Sequence, residues 1–131
     1  MRLFLAQRIT GENINKLREE STRIIDILKE KGHGCYCTLL EGESFEKKSK
    51  KDIMNHAFKE IDNSDALLVI LRSNDKSEGL LMEIGYSLNK KKIILAINQN
   101  VKETYLKDIA DSVIEFEDIE ELYTKLKELK I

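Results

Sequence analysis

The sequence contains no proline, no tryptophan, only two cysteines and two histidines, and no apolar run that approaches the length of a membrane span. A transmembrane helix needs about 20 apolar residues, so a membrane-spanning segment is not expected. The apolar start at residues 1–6 is too short for a signal peptide. The 22 basic residues are balanced by 24 acidic ones, which leaves no positive field to hold a nucleic-acid polymer. We therefore expect a cytoplasmic protein whose partner is neither a membrane nor a nucleic acid.

The few cysteines and histidines do not form the pattern of a metal site. Cys35 and Cys37 belong to a run that is typical of a strand, where this spacing places both side chains on one face. His33 lies in a turn between two glycines, and His56 is isolated in the sequence. A zinc site needs paired ligand spacings that are missing here. We expect reduced thiols in the core, and no metal or other cofactor.

Short aliphatic runs alternate with amphipathic stretches along the whole chain. The runs predict strands, and the stretches, in which apolar residues recur at helical spacing, predict helices. Strands are expected at 3–6, 35–40, 66–71, 93–97 and 113–116, and helices at 13–31, 53–61, 78–89, 105–109 and in the last segment. The strand at 66–71 is an unbroken apolar run, which indicates burial on both faces in the centre of a parallel sheet.

This alternation predicts the fold and the edge at which a ligand binds. Five strands and five helices are typical of a three-layer α/β fold with a parallel sheet, right-handed crossovers and flavodoxin-like or Rossmann-like strand order. Neither repeats nor a low-complexity tract indicate a second domain, so residues 1–131 are expected to form one domain. Ligands bind such sheets at the carboxyl ends of the strands. The candidate site therefore comprises the loops at 6–12, 40–46, 72–78 and 98–104.

Glu83 lies inside a segment that otherwise has the pattern of a buried helix followed by a buried strand. Ser77 is a natural N-cap for this helix, and Glu83 flanks the apolar stripe through Ile84, so it should be half-buried. The positive end of the helix favours its ionised form, and Gly79, one turn earlier, leaves space beside it. An ionised carboxylate at the strand ends can serve as a nucleophile or ligand anchor. The alternative is a glutamate that only complements the helix dipole.

Residues 77–86 have the pattern Ser-x-Gly-x-x-x-Glu-Ile-Gly-Tyr, and this segment, with residues 92–95 after it, resembles the nucleoside 2-deoxyribosyltransferase family. That family includes deoxynucleoside 5′-monophosphate N-glycosidases. The likeness extends from about residue 3 to residue 116 and includes Ser64 and Asp65 before the central strand. The resemblance implies an enzyme of nucleotide metabolism, a transferase or a hydrolase. In it Glu83 would attack the anomeric carbon and form a covalent glycosyl-enzyme that another base or water resolves.

The resemblance also implies where the substrate is held. In the nucleotide-cleaving branch, the serine and glycine of the same segment and a loop after the first strand hold the 5′-phosphate. In that loop Arg8 would supply the cation and Gly11 the close backbone approach, although the family tends to have glycine where Ala6 stands. The alternative for Arg8 is a solvated loop arginine. The expected substrate-binding residues are Ala6, Gln7, Arg8, Gly11, Ser77 and Gly79.

Two positions depart from the family pattern. The aspartate that the family carries before the central strand corresponds to Ala57, and the tyrosine of the first strand falls near Leu3. Asp65 is expected to act as the second catalytic residue instead, with His56 as the alternative. The departures leave another function open, a nucleotide-binding or sensing module of the same fold without catalysis. A receiver-like signalling domain is less favoured, because no aspartate ends the central strand.

The partners follow from the same resemblance. It implies a nucleoside or nucleotide substrate, and a homo-oligomer, a dimer or larger, in which a neighbouring subunit helps to close each site. The segment at 98–105 is where we expect that contribution.

Overall fold

The computed structural model of the chain describes residues 1–42, 47–75 and 77–131. The elements in these residues are β1 Arg2–Gln7, α1 Ile14–Glu30, β2 Gly34–Cys37, α2 Lys50–Asp62, β3 Ala66–Leu71, α3 Glu78–Ser87, β4 Lys92–Asn98, α4 Leu106–Ile109, β5 Ser112–Phe116 and α5 Ile119–Glu128. A short 3-10 turn, Thr38–Glu41, follows β2. None of the helices in the described ranges has the length and hydropathy of a membrane span.

The five strands form one parallel sheet in the order β2-β1-β3-β4-β5, which confirms the predicted fold class and strand order. The central strand β3 pairs with β1 through Leu5 and Leu68 and with β4 through Leu68 and Ile94. All its residues are buried. The chain leaves β1 and β3 toward opposite sides of the sheet, so the switch point of this topology lies between their carboxyl ends.

Two hydrophobic cores cover the two faces of the sheet. On one face, Leu5 and Leu68 pack with apolar residues of α1 and α5. On the other face, Phe4 and Val69 pack with residues of α2, α3 and α4. Alternate residues of a strand therefore belong to different cores, as the pleat requires. Buried Cys37 and half-buried Cys35 belong to the first of these cores as free thiols, and burial raises the pKa of Cys35 to about 12.

Several boundaries differ from the prediction, and two of these differences have a clear local cause. The second strand ends at Cys37 rather than at Leu40, because β2 is an edge strand whose pairing with β1 stops at Cys37. The next four residues satisfy their backbone groups locally, in the 3-10 turn. Helix α3 ends at Ser87 rather than Asn89, since Asn89 has a left-handed φ of 67° and cannot continue a right-handed helix.

Candidate active site

Arg8 directly follows β1, at the switch point of the sheet. Its Nη1 lies 3.2 Å from Glu12 Oε1 and 3.7 Å from Asp75 Oδ2, so it joins the loop after β1 to the loop after β3. Gly11 has a φ of 87°, and a Cβ at this position would lie 2.6 Å from Arg8 Nη2. The turn therefore favours glycine, and a side chain at this position would displace the guanidinium group.

The amino end of α3 also lies at the carboxyl ends of the strands, because this helix follows β3. Ser77 is its N-cap, as predicted, and its Oγ accepts a hydrogen bond of 3.0 Å from the amide of Leu80. The helix has ten residues, and its first amides and its dipole favour an anion at this end. Arg8 and the start of α3 thus place two groups that favour an anion at the carboxyl ends of β1 and β3, and Glu12 and Asp75 offset part of the charge of Arg8.

Gly79 and Tyr86 show which side of α3 faces α2. A Cβ on Gly79 would lie 3.8 Å from Met54 Sδ, and the ring of Tyr86 stacks on Phe58 with centroids 4.3 Å apart. Glu83 comes four residues after Gly79 and three before Tyr86, and this spacing places all three on one side of a helix. Glu83 therefore faces α2 between these two contacts.

The environment of Glu83 is apolar. Met54 and Phe58 of α2 contact the residues on either side of Glu83, and Ala57, between them in the sequence, is fully buried. Among the described residues the Glu83 carboxyl has no hydrogen bond or ion pair. Burial therefore raises its pKa from 4.5 to about 8.

Half-burial of Glu83 agrees with the prediction, but its expected ionised state is wrong at neutral pH. The helix dipole favours the charged form by about 1 kcal/mol. Loss of water around a carboxyl without a partner disfavours it more strongly. A buried carboxyl with such a shift and no structural partner is typical of a functional position.

The model of the nucleoside 2-deoxyribosyltransferase family matches residues 4–123 of the chain. The chain belongs to this family. A comparison with curated proteins finds no significant match. Solved structures include similar folds. The CMP N-glycosidase BcmB of Clostridium botulinum has a TM-score of 0.72 at 20% identity, over 96% of this chain and 97% of its own.

Two further structures are similar. A 2-deoxyribosyltransferase of Bacillus psychrosaccharolyticus has a TM-score of 0.65 at 19% identity, over 100% of this chain and 93% of its own. A conserved protein of Enterococcus faecalis V583 has a TM-score of 0.67 at 14% identity, over 98% of both chains. At these identities the likeness to the three structures shows a shared fold alone.

Asp65, the residue expected to replace the family aspartate, lies at the amino ends of the strands, opposite the candidate site. It precedes the first residue of β3, and its Oδ2 accepts a hydrogen bond of 2.7 Å from the backbone amide of Arg2. The six residues of β3 separate it from the switch point. The structure therefore does not bring Asp65 together with Arg8 and Ser77, and its contact explains it as a partner of the β1 backbone.

His56 lies on the side of α2 that faces away from α3. Its ring centroid is 6.0 Å from that of Tyr36, and its Nε2 is 3.2 Å from Glu41 Oε1. Met54 and Phe58 mark the side toward α3, so the body of α2 lies between His56 and Glu83. Neither Asp65 nor His56, the two residues expected to replace the family aspartate, therefore lies beside Glu83.

The predicted substrate-binding residues of the first loop divide into two groups. Arg8 is partly exposed and Gly11 is exposed. Ala6 is fully buried and Gln7 is 5% exposed. The Gln7 amide binds Ser21 and Arg72 instead of facing solvent, so direct contact of Ala6 and Gln7 with a substrate is not supported.

Arg72 is a polar residue at this end of the sheet that was not among the predicted site residues. It comes directly after β3 and bonds to Gln7 and Glu20. A charged residue that immediately follows a buried central strand, beside the predicted switch point, is the signal that could have identified it. Of the loops expected to form the site, residues 43–46 and Lys76 lie outside the described residues.

A cavity of about 390 Å³ opens at the amino end of β4, away from the switch point. It is lined by residues 88–93, Ile109 and Asp111. Two of its lysines are engaged elsewhere, since Lys90 Nζ lies 4.5 Å from the Tyr86 ring centroid and Lys91 donates to the Asp62 carbonyl. This cavity is not part of the edge that holds Arg8 and Ser77.

Proposed function

We propose that this protein cleaves or exchanges the N-glycosidic bond of a nucleoside or a nucleoside 5′-monophosphate, with Glu83 as the nucleophile. The observation that supports this most is the Glu83 carboxyl, which faces α2 without a partner among the described residues and has a pKa raised to about 8. A structural ion pair does not explain the raised pKa, because the carboxyl has no charged partner among the described residues. The family and the N-glycosidase and deoxyribosyltransferase activities in the names of two similar structures agree with this reaction.

The reaction has two steps. An ionised oxygen of Glu83 attacks C1′ of the sugar, the C1′–N bond breaks, and its electron pair moves to the base, which takes up a proton from solvent. Water or a second base then attacks C1′, loses a proton to solvent as the new bond forms, and releases the carboxylate. Water gives hydrolysis, and a second base gives exchange. Because only the ionised carboxyl is nucleophilic, Glu83 must lose its proton before the first step.

The substrate is oriented by groups at the carboxyl ends of β1 and β3, where the switch point lies. A phosphate or sugar oxygen at the start of α3 would meet the first helix amides beside Ser77 and Gly79, with Arg8 as the neighbouring cation. The anomeric carbon would then lie toward Glu83, which is about one and a half turns farther along the same helix.

A second function is favoured by one observation, the absence of a charged residue opposite Glu83 at Met54, Ala57 and Phe58. Without a group that protonates the leaving base, the rate falls by about 10² to 10⁴. A nucleotide-binding or sensing module that binds without turnover would retain the edge at Arg8 and Ser77. Asp at position 57 separates the two functions, since Ala57→Asp should raise the rate of a slow enzyme and Ala57→Asn should not.

We also propose that the protein is a homo-oligomer, a dimer or larger, in which α3 contacts a second copy. The outward side of α3 carries Leu81 and Met82, which are 44% and 49% exposed. Tyr105, in the segment expected to contribute to a neighbouring site, is 87% exposed. Exposed apolar side chains grouped on one face are typical of protein interfaces.

The test is a panel of ribo- and deoxynucleosides and their 5′-monophosphates, incubated with the wild type and with Glu83→Ala. Free base is measured by chromatography. Glu78→Ala is the matched control, because Glu78 is exposed in the first turn of the same helix. Release of base by the wild type and Glu78→Ala, but not by Glu83→Ala, supports the proposal. Saturable nucleotide binding without release by any of the three supports the sensing module instead.

A further inference from the structure

A chain of polar side chains, buried except for the partly buried Arg72, connects the ends of β1 and β3 to α1. Arg72 donates from Nε to Glu20 Oε1 over 3.1 Å and from Nη1 to Gln7 Oε1 over 2.8 Å. The Gln7 amide nitrogen donates in turn to Ser21 Oγ over 2.7 Å. Each polar group of Gln7 is thus used inside the protein.

The burial of this chain is not explained by stability. Glu20 is 8% exposed, Gln7 5% and Ser21 fully buried. A buried ion pair commonly contributes less than apolar residues of the same size, because both charges lose their water. In addition, Arg72 Nη2 is buried without a hydrogen-bond partner in the described parts of the chain. A network that is retained despite an unsatisfied donor requires another explanation.

The position of the chain suggests that explanation. Gln7 is the last residue of β1 and is followed by Arg8, whereas Arg72 is the first residue after β3 and begins the loop to Asp75 and Ser77. The two loops are joined a second time at the surface, where Arg8 Nη1 lies 3.7 Å from Asp75 Oδ2. Pairing of β1 with β3 places Gln7 beside Ile70, and the Arg72 link extends this junction from the strand ends to Glu20 of α1. The exposed link can open when an anion takes the place of the Asp75 carboxylate.

We propose that Arg72 is a positioning residue for the recognition of a substrate phosphate. By holding Gln7 and Glu20 it places Arg8 at the distance from the start of α3 that a phosphate group needs to contact both. This inference rests on the proposed function and narrows its substrate to the 5′-monophosphate. A lysine cannot replace this arginine, because a guanidinium group presents fixed donors to two partners and an ammonium group does not.

The test measures binding in the Glu83→Ala background, where no turnover occurs. Calorimetry gives the dissociation constants of the nucleoside 5′-monophosphates of the panel and of the matching nucleosides. The variants are Arg72→Met and Arg72→Lys. Arg2→Met is the control, because Arg2 pairs with Glu60 at the opposite edge of the sheet.

We expect both Arg72 variants to weaken binding of the monophosphates by about tenfold and to leave nucleoside binding within about twofold. Arg2→Met should change neither. Circular dichroism checks the fold of each variant. If Arg72→Met does not fold, Arg72→Lys is compared with the control instead.

Three other results would overturn the inference. If the Arg72 variants bind the monophosphates as tightly as before, or lose equal affinity for monophosphates and nucleosides, Arg72 does not position the phosphate site. Base release by the wild type would still support the proposed function in that case. If the wild type neither binds nor cleaves any member of the panel, the proposed function and this inference fail together.

Discussion

The ring of Tyr86 stacks on Phe58 with 4.3 Å between the centroids, and this contact joins α3 to α2 one turn after Glu83. On the other side of Glu83, Gly79 faces Met54. These two contacts bracket a carboxyl group in apolar surroundings, and they account for its raised pKa. The expected chemistry and the expected pH dependence both follow from this arrangement.

The rate of base release should rise with pH. Burial raises the pKa of Glu83 to about 8, so about one molecule in ten has the nucleophile ionised at pH 7. Between pH 6 and pH 8, kcat/KM should increase by about 50-fold along a limb with a slope of one. The measurement is a pH–rate profile for the best substrate of the panel. A rate that falls over this range would identify Glu83 as a proton donor and contradict its role as nucleophile.

Glu83 should also make stability depend on pH. Between pH 4.5 and about 8 the unfolded chain has lost this proton and the folded chain has kept it, so stability falls as the pH rises through this window. Glu83→Gln removes the effect. It should raise the free energy of unfolding at pH 9 by on the order of 2 to 4 kcal/mol and change it little at pH 4.5.

Urea denaturation at both pH values checks this expectation. Glu78→Gln is the matched control, because Glu78 is exposed on the same helix. An equal gain from Glu83→Gln at pH 4.5 and pH 9 would show that packing, and not the charge, limits stability at this position.

Gly11→Ala should weaken anion binding, whereas Gly32→Ala, with a similar cost in stability, should not. Gly11 and Gly32 both have a φ of 87°, but a Cβ at Gly32 meets nothing within 4 Å, whereas at Gly11 it lies 2.6 Å from Arg8 Nη2. Each substitution should destabilise the protein by about 1 to 2 kcal/mol through the left-handed backbone. Only Gly11→Ala should displace Arg8 and raise the dissociation constant of a 5′-monophosphate, by about tenfold.

Calorimetry and thermal denaturation of the two glycine variants check this prediction. Equal monophosphate affinity in Gly11→Ala and Gly32→Ala would show that Arg8 does not bind the phosphate.

Leu81→Glu should dissociate the proposed oligomer. Leu81 on α3 and Leu40 after β2 are similarly exposed, at 44% and 42%. A charge in a buried apolar interface is unfavourable, so Leu81→Glu should lower the molar mass in light scattering to that of one chain of 15.2 kDa. Leu40→Glu should leave the mass unchanged. A wild type that is already monomeric would contradict the proposed assembly.

The fold was predictable because its determinants are local. The spacing of apolar residues set the order of the elements, and the unbroken run Ala66–Leu71 identified the central strand. The residues around Ser77 predicted the start of α3, since an N-cap depends on its own side chain and the amides that follow. Half-burial of Glu83 also followed from periodicity alone.

The candidate site was only partly predictable, because its properties depend on residues that are distant in the sequence. The charge state of Glu83 depends on its burial, and the side of α3 on which it lies faces another helix, α2, which no spacing around Glu83 shows. Asp65 appeared suitable by its position before the central strand. The direction of that strand, however, places it at the amino edge, where it binds the Arg2 amide.

The sequence by itself determined the element order, the parallel sheet, the helix start at Ser77 and the candidacy of Glu83, since each depends on neighbours within one or two turns. Only the tertiary structure decided that Gln7 is enclosed, that Arg72 holds it, and that the Glu83 carboxyl is neutral at pH 7. The physical reason is that burial and hydrogen bonding of a polar group depend on which distant elements pack against it, and these determine its charge and its availability to a ligand.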